Sequence, residues 1–131
     1  MQISRISSKL SMKELSYIIE GLDAVAIRPD AIESLDELDL AYHLAKSSFK
    51  KKKNIARKMK YEFLLWLACT RDIENAIKKT SPTDEENFIL ITFTGQKNII
   101  EKMMGKKTAL ELNKKGNAIR LENISLSRTI S

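Results

Sequence analysis

Several residue types that build specialised sites are scarce in this 131-residue chain, which has one cysteine, one histidine, two prolines and four glycines. A lone cysteine, Cys69, excludes an internal disulfide framework and fits a reducing, cytoplasmic setting. One Cys and one His cannot make up a zinc site of the usual spacing, so no metal is expected. Four glycines leave no GxGxxG or GxxxxGK[ST] segment, so neither a phosphate-cradling loop nor a nucleotide cofactor is expected. Apolar runs are short. The most prominent, "FLLWLAC" from Phe63 to Cys69, falls far below the roughly 18 residues that a membrane-spanning helix needs. Met1 leads directly into "QISRISSKL", with no basic region followed by an apolar one, which reads as no secretory leader.

What is present is a globular composition, 43% hydrophobic and 31% charged, in a length suited to one domain spanning residues 1–131. The net charge of +6 is concentrated. Between Lys46 and Lys60 stand eight basic residues and no acidic one, so the remainder of the chain is net −2. Just upstream, Asp30 to Asp39 holds five carboxylates and no Lys or Arg. A patch of this kind attracts polyanions through their phosphates. It is equally readable as a solvated, lysine-rich corner between two helices.

The periodicities give a mixed α/β fold: a small mixed or antiparallel sheet packed with several helices. "MQISRI" alternates weakly and reads as a strand. Ser11 and Glu14 have capping-box spacing ahead of Leu15, Ile18, Ile19 and Leu22, a helix ending near Gly21. "AVAIR" before Pro29 is a short strand. Ser34 with Glu37 opens a second amphipathic helix through Leu38, Ala41, Tyr42, Ala45 and Phe49, with Lys50 to Lys53 as the following turn. Asn54 is the expected N-cap of the next helix, in which Arg57, Lys58 and Lys60 face solvent and Phe63 to Ala68 are buried on several sides. Thr70 is expected to cap a short helix with Ile73, Ala76 and Ile77 inward. "FILITF", Phe88 to Phe93, is apolar on both faces and reads as an interior strand. "NIIEKMM" reads as a helix ending at Gly105, "AIRLEN" as a weak strand, and "ISLSRTIS" as a tail or docking segment.

No active site assembles from these residues, and the chain is read as a non-enzyme. His43 lies in the second helix as a satisfied, partly buried side chain, and Cys69 at a helix end as a small packing group. Glu62 falls in the apolar part of its helix, where an unpaired charge is costly; it is expected to form a structural ion pair with Lys58 or Arg71.

The stretch "NIARKMKYEFLLWLACTRDIENAIKK", followed by an acidic loop and "FILITF", resembles the TPRKB (PRPK-binding protein) family, the small kinase-binding subunit of the KEOPS complex. The resemblance rests on Ala56, Arg57, Glu62, Leu64, Leu65, Thr70, Arg71, Ile73, Ala76 and Ile77, with the upstream "LAYHLAKSSF", and covers roughly residues 35 to 94. Cys69 departs from a frequent glycine, Asp72 from the usual Gln, and Ser81-Pro82 from a Gly-containing helix exit. The resemblance implies a small α/β adaptor without activity of its own. Such an adaptor docks on a small atypical kinase/ATPase and helps recruit tRNA, through its single-stranded 3′ end, for threonylcarbamoyladenosine modification beside the anticodon. Lys52, Lys53, Arg57, Lys58, Lys60 and Arg71 are the expected tRNA contacts, with Phe49 and Tyr61 the nearby aromatics. A stand-alone RNA-binding module is the alternative, and a small enzyme using Glu62 and Arg71 is the third reading.

Overall fold

A computed structural model describes residues 1–95, 98–110, 112 and 115–128 of the chain. In chain order the elements are β1 (Gln2–Ser8), α1 (Met12–Glu20), β2 (Ala24–Ile27), a 3-10 turn (Pro29–Ala31), α2 (Leu35–Lys50), α3 (Met59–Leu67), α4 (Ile73–Thr80), β3 (Phe88–Thr92), α5 (Ile99–Lys102), β4 (Gly105–Thr108) and α6 (Ala118–Leu126). The fold is mixed α/β, with one four-stranded antiparallel sheet. The chain divides into two compact units, residues 1–31 with 81–111 and residues 32–80 with 112–131. Each unit is therefore assembled from two stretches that are distant in sequence. No helix among the described residues is long and apolar enough to cross a membrane.

The first unit holds the sheet, in the order β2-β3-β1-β4. Its β3 is interior and buried at every position, as expected of "FILIT" with apolar residues on both faces. Phe88 stands opposite Ile6 of β1, and Leu90 opposite Ala26 of β2. The core on one face of the sheet gathers Ile6, Leu15, Ala24, Phe88, Leu90, Ile99 and Met103, with α1 and α5 supplying the helical side chains. Ser11 starts α1 as expected: its hydroxyl accepts the Glu14 N–H and donates to the Glu14 carboxylate. The strand β4 was not foreseen, because "GKKT" has neither alternation nor β-branched bulk until its last residue. Backbone pairing to β1 makes it an edge strand with Lys106 and Lys107 exposed. Its first residue must be small, since a Cβ on Gly105 would stand 2.9 Å from Ile6 Cγ2.

The second unit is helical, with α3 packed on α2, α4 and α6. Residues Phe63 to Leu67 are all buried, in agreement with the nearly all-round apolarity of that stretch, whereas Ala68, expected with them, is half-buried at the C-cap. Ser34 is the N-cap of α2, and the Glu37 carboxylate accepts its backbone N–H at 3.0 Å. Asp72 carries out the cap at α4, its carboxylate accepting the Glu74 N–H, while Thr70 Oγ1 accepts the N–H of Asp72. Ala76 points inward from α4, but Ile77 is exposed.

Further expectations are corrected here. "AIRLEN" is not a strand but the start of α6: Asn117 accepts the Ile119 N–H as N-cap, and Ile124 is buried. The alternation of Ile119 and Leu121 was incidental, since Ile119 is exposed. His43 is exposed on α2, not partly buried. Cys69 is exposed too, because it is the residue that reverses the chain at the end of α3, with φ 56°. Of the stretch read as a tail, residues to Leu126 belong to α6, and Thr129, Ile130 and Ser131 lie outside the described residues.

Candidate nucleic-acid interface

The basic segment is built from a helix exit, a pinned loop and a helix entrance. At the exit of α2 the N–H of Lys53 bonds to the Ser48 carbonyl and that of Lys52 to the Phe49 carbonyl, with Lys52 left-handed at φ 57°. This is a Schellman motif, which satisfies carbonyls that the last turn leaves unpaired. The same motif closes α3, through Thr70 N–H to Leu65 and Cys69 N–H to Trp66. In both places a residue with a side chain occupies the left-handed position that glycine normally takes.

The expected N-cap at Asn54 is overturned. The first helical residue is Met59, Lys58 is the N-cap, and residues 54–58 form a loop. Glu62 causes this. Its Oε1 accepts the N–H groups of both Ile55 and Ala56 at 3.0 Å, folding the segment back over the first turn of α3. Asn54 completes the loop by donating its side-chain amide to the Ala56 carbonyl at 2.8 Å. Two backbone donors that an uninterrupted helix would place elsewhere are thus held by one carboxylate.

This geometry divides the anticipated tRNA-binding residues. Lys52, Lys53, Arg57 and Lys58 are exposed on the one connected segment between α2 and α3, and no carboxylate interrupts it. Lys60 does not share that surface. It is 3% exposed, and its ammonium lies 5.3 Å from the Tyr61 ring centroid. Lys60 stands three and four residues before the buried Phe63 and Leu64, and that spacing puts it on their face of α3. Arg71 is exposed but lies beyond the other end of α3; nine helical residues separate the two ends by about 13 Å. Its guanidinium donates to the Arg128 carbonyl at 2.6 Å. Phe49 and Tyr61 are both half-buried.

The buried end of the site was legible only in part. Glu62 is indeed in a structural ion pair, but its partner is Arg128, 2.7 Å from Oε2, and neither Lys58 nor Arg71. The Arg128 guanidinium also lies 4.0 Å over the Trp66 ring, and it donates to Ser48 Oγ, which accepts from Trp66 Nε1 as well. Burial pushes the Glu62 carboxyl up, but the Arg128 guanidinium and the N–H groups of Ala56 and Ile55 outweigh that, leaving it below the ordinary glutamate value. Although Cys69 is exposed by surface area, partial desolvation by its neighbours pushes the thiol up, against the pull of Lys79. A second clasp joins α6 to α2: Arg120 contacts Glu37 at 2.9 Å and Glu33 at 3.7 Å. Sequence reasoning missed both arginines. A buried carboxylate demands a cation, but nothing local shows which one is folded back from 66 or 83 residues away.

Compared with known proteins, the chain matches no family model and no curated protein.

Proposed function

We propose that this protein is a non-catalytic adaptor that holds tRNA through its phosphates on the basic loop and docks on a small kinase-like ATPase. That is the role implied by its resemblance to the TPRKB family. The observation that carries the RNA half is the ordered cationic segment itself: Lys52, Lys53, Arg57 and Lys58 exposed together, on backbone fixed by a Schellman motif and by Glu62. Cations whose backbone is already ordered give up less conformational entropy when they meet a phosphate chain. The half-buried aromatics favour binding to the RNA backbone over base stacking. Lys60 and Arg71 do not touch RNA in this reading, because one is buried and the other is tied to Arg128.

The kinase-binding half rests on the resemblance alone, and co-purification tests it. Isolated from its native cell with affinity purification and mass spectrometry, the protein is expected to bring a kinase-like ATPase, and to hydrolyse no ATP by itself. Nucleic acid without a protein partner would select the stand-alone RNA-binding module instead. Robust turnover by the pure chain, surviving repurification, would remove the adaptor reading.

A further inference from the structure

The basic loop and the C-terminal segment are held by the two oxygens of one side chain. Glu62, 0% exposed, gives Oε1 to the N–H groups of Ile55 and Ala56 and Oε2 to Arg128. We infer that Arg128 is a positioning residue for the basic loop: the C-terminal end of the strap, residues 115–128, and the loop at 54–58 are coupled through Glu62, so that release of the strap at Arg128, and not loosening of its helix alone, loosens the loop.

The strap is built to come away before the rest of its unit. Its helix has nine residues, too few to persist alone in water. Among its described residues only Ile124 is buried, whereas Ile119 and Leu126 are exposed. Its polar holds include Gly116 N–H to Asp36, Arg120 to Glu37 and Glu33, Arg128 to Glu62 and Ser48, and the Arg128 carbonyl to the Arg71 guanidinium, with the Arg128 guanidinium over the Trp66 face. Segments with little apolar burial occupy the low end of the local-stability range.

The coupling follows from what Glu62 must do when Arg128 leaves. A buried carboxylate without its cation is strongly unfavourable, so it must turn toward water or take up a proton. Turning withdraws Oε1 from Ile55 and Ala56; protonation weakens it as an acceptor. In either event the two N–H groups that fix the loop lose their anchor, and Arg57 and Lys58, the next residues along, lose their fixed backbone. The relation is reciprocal: a ligand that holds the loop in place also favours the latched strap.

Amide hydrogen exchange on the intact chain, resolved by residue, tests this. In the unmodified protein the amides of 118–126 are expected to exchange roughly tenfold or more faster than those of 63–67. Arg128→Ala is expected to speed exchange both in 118–126 and at Ile55 and Ala56, with 63–67 changed far less. Arg120→Ala loosens the strap without touching Glu62, and is expected to speed 118–126 while leaving Ile55 and Ala56 as they were. If Arg128→Ala does not fold, Arg128→Lys keeps the cation and is read for the same pattern at smaller amplitude. Trp66, the chain's one tryptophan, reports independently, since release of Arg128 uncovers its ring and shifts its emission. Unchanged protection at Ile55 and Ala56 when the strap loosens at Arg128 overturns the coupling. So does equal acceleration everywhere, and so does equal protection of 118–126 and 63–67 in the unmodified chain.

Discussion

Glu37 and Glu62 are both almost wholly buried carboxylates in the helical unit, yet they are satisfied in opposite ways. Glu37 is provided for locally. Its Oε2 accepts from the N–H groups of Glu33 and Ser34 and from the Ser34 hydroxyl, all within four residues. Arg120, whose side chain is 37% exposed, only adds to that set. Glu62 depends on partners distant in sequence: a loop six and seven residues upstream and an arginine 66 residues downstream whose side chain is 12% exposed. A carboxylate met by its own helix start is a cap. One met by distant segments is a joint, and what it joins here is the proposed binding loop to the end of the chain.

The largest expected effect separates the two arginines. Arg128→Ala leaves Glu62 buried without its cation and is expected to cost about 3–5 kcal/mol in urea unfolding. Arg120→Ala removes a half-solvated partner from a carboxylate that keeps its cap, and is expected to cost about 1 kcal/mol or less. Equal losses would erase the distinction between cap and joint. Acid sharpens it. The folded carboxyl of Glu62 lies below its ordinary value, so its contribution is fully present above the unfolded value. It is lost as the pH falls through that value toward the folded one. Thermal unfolding between neutral and strongly acid pH should show this loss in the unmodified protein and a smaller one in Arg128→Ala.

Next come two lysines two residues apart. Lys60→Glu places a carboxylate where the side chain is buried, and is expected to cost on the order of 2–3 kcal/mol. Lys58→Glu changes an exposed side chain and is expected to stay within about 0.5 kcal/mol. Similar melting temperatures for the two variants would contradict the burial of Lys60 beside Phe63 and Leu64.

The smallest effect concerns the helix exit. Cys69 holds a left-handed conformation that costs a side-chain-bearing residue about 1–2 kcal/mol, less for the greater chain entropy of glycine. Cys69→Gly is expected to raise stability by up to about 1 kcal/mol, measured by chemical denaturation, and Lys52→Gly to do the same at the end of α2. A loss of stability in both would mean that these turns are held by their side chains.

What the sequence disclosed follows the same division between local and distant. The Ser11–Glu14 and Ser34–Glu37 caps, the interior strand at Phe88 and the buried run at Phe63 to Leu67 were readable, because spacing within a few residues determines them. Asn54 misled because a carboxylate eight residues later competes for the backbone that its cap would organise. Lys60 is interior because it shares a helix face with Phe63 and Leu64, a spacing that its charge obscured. α6 was misread because two apolar residues happened to alternate, and its true docking depends on Glu37 and Glu62, neither of them near in sequence. β4 has no apolar pattern at all; pairing with β1 alone makes it a strand. For the candidate site, the cationic segment was evident from composition, whereas the Arg128 end was not.

In the proposed function, the cationic loop pinned by Glu62 binds tRNA by its phosphates. The most direct measurement is a titration of the protein with full-length tRNA, and with tRNA lacking its 3′ single strand, at several salt concentrations. The variants to compare are Arg57→Glu with Lys58→Glu, and Arg71→Ala. Weaker binding to the truncated RNA is expected, with strong weakening by the double reversal. The salt slope of log K should fall by about 0.7–0.9 for each phosphate that is no longer neutralised, and Arg71→Ala should have little direct effect on that slope. Equal affinity for both RNAs, or an undiminished affinity and slope in the double reversal, would contradict the proposed function and leave the segment a solvated surface.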